Sequence, residues 1–276
     1  MNKLFFSMMC FAAPLIAAID HSTHWNADEY RFHSEKQFKI AKKIVKDLSL
    51  TGGESVLDIG CGDGKITDMI QSMVRKGKVV GIDISTSMIK HAKNTFPQVT
   101  FEEKDIYEMN YDHEFDLVVS FSTMQWVTDQ KRALKLVHRA LKKGGRVVIS
   151  MPQEIPPPLQ RAVDKVKSEP RWQRFFEGYS PNWRFYEVAE YRALLEGVGF
   201  TIESISPREI PDSYPNRHEF MAFLDQWFPY LTEIPSAEEK RLFLRCVVDQ
   251  YLKNAGMETG QISFPVKGLN AVGRAR

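Results

Sequence analysis

One short stretch constrains this chain more than any other: Val56–Leu57–Asp58–Ile59–Gly60–Cys61–Gly62–Asp63–Gly64 joins a short apolar run to a helix-like segment through three alternating glycines. Glycine lets the backbone turn sharply and approach a ligand closely. A helix beginning behind such a turn offers unpaired N–H groups. Strand-like and helix-like segments then alternate. Ser55–Ile59, Lys78–Asp83, Val99–Phe101, Phe115–Phe121 and Arg146–Met151 read as strands. Lys65–Val74, Ser87–Thr95 and Asp129–Lys143 read as helices, the last ended by Gly144–Gly145. A preceding helix is expected to begin at Ser34, with Gln37 as capping-box partner and apolar positions at Phe38, Ala41, Ile44, Val45 and Leu48. Phe115–Phe121 is apolar on both faces, as a central parallel strand must be. The alternation predicts a doubly wound α/β sheet.

After Met151 the pattern changes. Pro152 and Pro156–Pro157–Pro158 punctuate an irregular stretch. Glu187–Val198 reads as a helix, Phe200–Ser206 as a sixth strand, Arg217–Tyr230 and Ala237–Lys253 as helices, and Gln261–Arg274 as a closing β segment. About 152–186 and 207–260 are expected to be helical cap insertions on one domain spanning 21–276, whose core is 34–151.

Composition removes several classes. With 37 basic and 35 acidic residues the net charge is +2, which gives a polyanion no purchase, so a nucleic-acid partner is not expected. No apolar run reaches the ~20 residues of a spanning helix. Cys10, Cys61 and Cys246 are too scattered for a disulfide framework or a metal site. Residues 1–20, with Lys3, an apolar run to Ile19 and small residues at Ala17 and Ala18, have the form of a secretory leader. A buried or interfacial helix is the alternative.

The loop's chemistry is specific. A dinucleotide site favours G-x-G-x-x-G around a pyrophosphate; here the spacing is G-x-G-x-G, with Lys65 at the third glycine's place. Asp58 and Asp63 would repel a pyrophosphate but suit a ligand carrying an ammonium and a sulfonium. Asp83, ending the second strand, suits a ribose diol; as a bland alternative it is a helix-capping acid. Asp105 could accept from an adenine amino group while Ile106 packs on the ring; alone it reads more simply as a turn acid. The three acids follow successive strands, whose carboxyl ends converge on the crevice where open α/β sheets bind ligands.

In order, VLDIGCGDG, GIDIS, EEKDI, FDLVVSFSTMQWV and KKGGRVVIS resemble the class I S-adenosylmethionine-dependent methyltransferases. That resemblance implies a seven-stranded, mostly parallel Rossmann-like sheet with an antiparallel last strand. It implies S-adenosyl-L-methionine as cofactor, held by Asp58, Gly60, Cys61, Gly62, Gly64, Asp83, Ile84, Asp105, Ile106 and Ser120. A narrower likeness is to the trans-aconitate methyltransferases, through Trp25–Asn26 with Tyr30, Met124–Gln125–Trp126–Val127, Met151–Pro152, Phe243–Leu244, and Gly260–Gln261–Ile262 with Phe264–Pro265.

A carboxylate nucleophile is ionised at neutral pH and needs no base, whereas a hydroxyl or amine must lose a proton. The loop Ser120–Phe121–Ser122–Thr123 lacks the Asn/Asp-Pro-Pro-aromatic pattern of many amino-group methyltransferases. A monomeric enzyme esterifying a small-molecule carboxylate is therefore expected. The alternatives are a hydroxyl or ring-carbon methyltransferase, a non-catalytic exported protein keeping the fold, and a dehydrogenase. Gln125 and Trp126 are positioning candidates beside the methyl group, and Tyr30 and His33 belong to an N-terminal lid with Trp25. Arg184, Arg208 and Arg217 are equal candidates for the carboxylate's cation. The stripe Phe220, Phe223, Leu224, Trp227, Phe228 and Leu231 is by default core; as a substrate pocket it would favour a fatty or terpenoid acid over a polyacid.

Overall fold

The computed structural model describes residues 35–257 and 260–276. The proposed leader, the lid residues Trp25, Tyr30 and His33, and the Ser34 cap lie outside the described residues. The elements in chain order are α1 (Glu35–Lys46), β1 (Ser55–Ile59), α2 (Lys65–Met73), β2 (Lys78–Asp83), α3 (Thr86–Thr95), β3 (Thr100–Glu103), β4 (Phe115–Phe121), α4 (Gln130–Ala140) and β5 (Leu141–Pro152). There follow α5 (Pro157–Lys167), α6 (Pro170–Gln173), α7 (Val188–Gly197), β6 (Phe200–Ile210), β7 (Ser213–Tyr214), α8 (Arg217–Asp225), α9 (Ala237–Asn254), β8 (Ile262–Ser263) and β9 (Val266–Ala275).

Seven strands form one sheet in the order β3-β2-β1-β4-β5-β9-β6. The pairs from β3 to β5 are parallel, and β9 runs antiparallel between β5 and β6. The sheet is the expected doubly wound, mostly parallel one, and β4 is its central strand. Alternating residues face opposite layers: Leu57, Val80, Val118 and Val147 pack toward α4 and α7, while Val56, Val79, Leu117 and Val148 pack toward α1 and α2. Between β1 and β4 the chain order reverses, which opens a crevice at their carboxyl ends.

A further apolar cluster lies outside the sheet. Leu159 and Val163 of α5, Trp172, Phe220 and Leu224 of α8, and Phe243 of α9 join it and are buried. These helices form a cap over the carboxyl end of the sheet. Among the described residues no helix is long and apolar enough to cross a membrane.

The largest departures from the expected boundaries fall at three places. The helix expected through Lys143 stops at Ala140, because Leu141 already pairs with Phe115; the ladder then jumps to Arg146 opposite Leu117. Gly144 and Gly145 therefore lie inside β5, in a bulge, and do not end a helix. The helix expected to reach Tyr230 ends at Asp225, since Pro229 cannot continue it and holds Phe228 extended at φ −78°, ψ 101°. β6 runs on to Ile210, which puts Arg208 on the sheet opposite Gly268 of β9.

Candidate active site

The glycine loop leaves β1 by folding back on β2: the N–H groups of Gly60 and Cys61 both donate to the Ile82 carbonyl, at 2.8 and 3.0 Å. Gly60, Gly62 and Gly64 all have positive φ, at 72°, 52° and 84°. Only glycine adopts this conformation freely. At Gly60 space is also exhausted, since a Cβ would lie 2.1 Å from Thr123 Oγ1. Asp83 clamps the loop, its carboxylate accepting from the N–H of Gly62 at 3.0 Å and of Ser85 at 2.9 Å. A carboxylate has about four acceptor sites, so this one keeps capacity toward the crevice.

A cavity of 260 Å³ opens there, lined by Gly60, Gly62, Asp83, Ile84, Asp105 and Ile106 on the sheet side and walled by Trp126. Ile84 is 41% exposed, the one large apolar side chain so exposed among the described residues, and it forms part of the rim. Asp105 caps the 3-10 turn Ile106–Glu108 by accepting from Tyr107 N–H at 2.8 Å. Tyr179, Asn182, Pro229 and Thr232 of the cap complete the lining. Sequence reading missed these four: Tyr179, Asn182 and Thr232 fall in segments with no periodic signal or recognised motif, and Pro229 was read as part of a helix.

Other sequence-predicted residues stand behind the cavity and do not line it. Asp58 is 1% exposed and accepts from Thr67 Oγ1 at 2.7 Å. Burial pushes its carboxyl up to about 7 against that hydrogen bond, with Asp83 and Asp63 adding to the rise. Burial likewise raises Asp83. Ser120 donates to the Ile59 carbonyl at 3.0 Å, tying β4 to β1. The Cys61 side chain packs with Ile89, Ala92, Val99 and Phe101, and burial pushes its thiol up, so it is no nucleophile. Gly64 is the N-cap of α2, crowded by Phe101 and Ala92.

Past β4 the chain turns at Ser122, a non-glycine residue at φ 55°. Its N–H donates to the Ser150 carbonyl at 2.7 Å, and its carbonyl accepts from Gln125 Nε2 at 2.7 Å. Such backbone strain is held in place where the surrounding structure over-determines it. Ser122 and Trp126 also border a second cavity, of 150 Å³, on the far side of the Trp126 wall. Its lining is largely aromatic. Trp126 lies 5.8 Å from Trp183, which lies 6.3 Å from Trp227, ring centre to ring centre.

The arginines now separate. Arg184 is exposed, with Nη1 donating to the Trp183 carbonyl at 3.0 Å. Arg217 is paired with Asp249. Arg208 lines the second cavity; its Nε and Nη1 are sealed from solvent and have no hydrogen-bond partner among the described residues. Burial lowers its pKa to about 10. Trp227 Nε1 and Gln125 Oε1, in the same lining, are also buried without partners among the described residues.

A glycine turn at the switch point, with Asp58 in β1, Asp83 ending β2, Asp105 after β3 and an open apolar rim, defines a class I S-adenosylmethionine-dependent methyltransferase. Residues 50–196 match a family model described as a methyltransferase domain, and the chain belongs to that family. It is 28% identical over 242 residues to the inferred methyltransferase 235L of Invertebrate iridescent virus 6, covering 88% of this chain and 91% of the viral one. It is 26% identical over 180 residues to the trans-aconitate 2-methyltransferase of Methylobacterium nodulans, covering 65% of this chain and 70% of that one. Its fold is shared with the crystal structure of a Bacillus halodurans protein at a TM-score of 0.60 and 18% identity, covering 86% of this chain and 98% of the other.

Proposed function

We propose that this methyltransferase esterifies a carboxylate of a small molecule. The observation that carries the reading is Arg208, a guanidinium with two sealed, unpartnered donors in the cavity that shares the Trp126 wall. A buried cation without an anion is costly, and a carboxylate matches the guanidinium fork. The trans-aconitate relatives support a carboxylate acceptor from a second direction. Among the described residues no histidine lines either cavity, which suits a nucleophile that arrives ionised.

On this reading Asp83 takes the ribose hydroxyls, Asp105 meets the adenine amino group, and Ile84 and Ile106 flank the ring. The Gly60–Gly64 backbone borders the methionine part, and Asp58 acts from behind the loop through its charge. When bound, S-adenosylmethionine supplies an electrophilic methyl: the carboxylate oxygen forms the new C–O bond as the S–C bond breaks, the electron pair stays on sulfur, and no proton moves. Trp126 and the strained Ser122 turn fix the wall between the cavities. Arg208 holds the acid, and the aromatic lining excludes water. Alignment of this kind is worth ~7–11 kcal/mol of barrier.

The test is Arg208→Gln, assayed by S-adenosylhomocysteine formation on a carboxylic acid. Truncating one partner of a buried charge pair costs about 2–5 kcal/mol, so kcat/KM should fall about 100-fold with cofactor affinity unchanged. The labelled product should release its methyl in mild alkali. An alkali-stable methyl would mark an ether or carbon product and end the carboxylate reading.

A further inference from the structure

The second cavity also constrains the rest of the substrate. Beyond Arg208 its lining is dominated by Trp183, Phe185, Phe223, Trp227 and Phe264, with Ile155 and Val266. The charged residues there besides Arg208 are acids. Glu154 is held by Lys267 at 3.2 Å. Asp212 accepts from Tyr214 Oη and from Ser213 N–H, both at 2.8 Å. Arg208 is thus the one cation among the described residues of the cavity lining. Among the described lining residues a second or third substrate carboxylate would find no further cation; it would meet aromatic surface, these two acids or the neutral side chains of Ser122, Gln125 and Gln226, and a buried charge without a cation is costly. The volume points the same way. The recess around Arg208, open on one side, measures 150 Å³, about the volume in which an enclosed apolar cavity holds benzene.

Resting on the carboxylate reading above, we propose that the substrate is a monocarboxylic acid with a compact apolar body, about the size of a phenyl ring or a short alkyl chain. Its carboxylate lies on Arg208 and its body lies among the tryptophans, with Trp227 Nε1 as a second donor. By the same lining, trans-aconitate and other tricarboxylates should be poor substrates.

The experiment compares 3-phenylpropanoate and hexanoate with trans-aconitate, citrate and 3-phenylpropanol, using the full chain with S-adenosylmethionine. Binding of each is followed by tryptophan fluorescence in the presence of S-adenosylhomocysteine. The monoacids should be esterified with kcat/KM at least about tenfold above the tricarboxylates and should quench the emission of the lining tryptophans. Phe185→Ala, which widens the cavity without removing a donor, should shift the preference toward decanoate while circular dichroism stays unchanged; loss of a merely structural residue would lower all acids alike. Preference for a tricarboxylate, dependent on Arg208, would overturn the apolar-body inference and leave the carboxylate reading standing. Methylation of 3-phenylpropanol with every acid inert would overturn both. Failure of both monoacids to bind up to millimolar concentration would overturn the inference as well.

Discussion

Asp58 is a carboxyl in an unfavourable place, and its energetics couple the fold to the cofactor. Its pKa rises from 3.8 in the free side chain to about 7 here, chiefly through burial, with Asp83 and Asp63 adding. A raised carboxyl pKa means the folded state holds the proton more tightly than the unfolded chain. The stabilising contribution is therefore full below about pH 4 and is lost as pH rises through 7. Asp58→Asn should accordingly raise the melting temperature of the free protein more at pH 8 than at pH 5. A cationic ligand reverses the preference, because it favours the ionised carboxylate. Affinity for S-adenosylmethionine should fall from pH 8 to pH 6, by up to about tenfold per unit below the pKa, and calorimetry should detect proton release. The asparagine variant should bind more weakly with a shallower pH slope; the remaining slope belongs to Asp83, which burial also raises. Equal slopes in both proteins would remove Asp58 from the coupling. At this scale sequence reading was uneven for a physical reason. Asp83 and Asp105 were legible because strand ends in an α/β sheet converge. Arg208 was indistinguishable from Arg184 and Arg217, because the property that separates it is the lack of a partner, and partners come from other elements.

The elements show where periodicity reads well and where it misleads. α4 carries Ala133, Leu134 and Val137 on its buried face, as the spacing predicts. Its end was misplaced because Leu141 also fits the helical period, although the chain there has begun to pair with β4. The end of α8 was likewise masked by apolar residues that continue past Asp225 around Pro229. The stripe divides: Phe220, Leu224 and Phe228 are core, whereas Phe223 and Trp227 also line the second cavity. The antiparallel β9 carries a consequence for the site. Gly268 lies between Pro152 of β5 and Arg208 of β6. A Cβ there would come within 2.8 Å of the Met151 carbonyl oxygen and 3.0 Å of Arg208 Nη2. Gly268→Ala should destabilise the protein by about 1–3 kcal/mol, the usual cost of overpacking, and raise KM for the acid while cofactor affinity holds. A lowered melting temperature with unchanged KM would make Gly268 a packing residue alone.

Across the described residues, two large apolar clusters and a smaller one around Cys61 and Phe101 pack on the sheet, another builds the cap, and the candidate site lies between sheet and cap. The sheet was legible because strand, glycine turn and helix recur locally. Cap contacts were not, because α5, α8 and α9 meet only through tertiary packing, across stretches of sequence that share no period. This division predicts how binding should spread. The first cavity is lined by loop residues of the sheet and by Tyr179, Asn182, Pro229 and Thr232 of the cap, with Tyr179 Oη donating to the Pro229 carbonyl at 2.9 Å. A ligand that binds only the folded state stabilises it by about 2.7 kcal/mol at a hundred times its Kd, and that stabilisation extends to every segment it bridges. Hydrogen exchange with S-adenosylhomocysteine should therefore slow in 59–64 and 83–85 and also in 179–182 and 229–232. Adding an accepted acid should extend the protection to 223–227. Protection confined to the sheet loops would mean that the cap closes on the acid alone, and cofactor affinity would then be unaffected by Tyr179→Phe. Protection of both layers ties cap closure to cofactor binding, so that the Arg208 cavity is completed only after the methyl donor is in place.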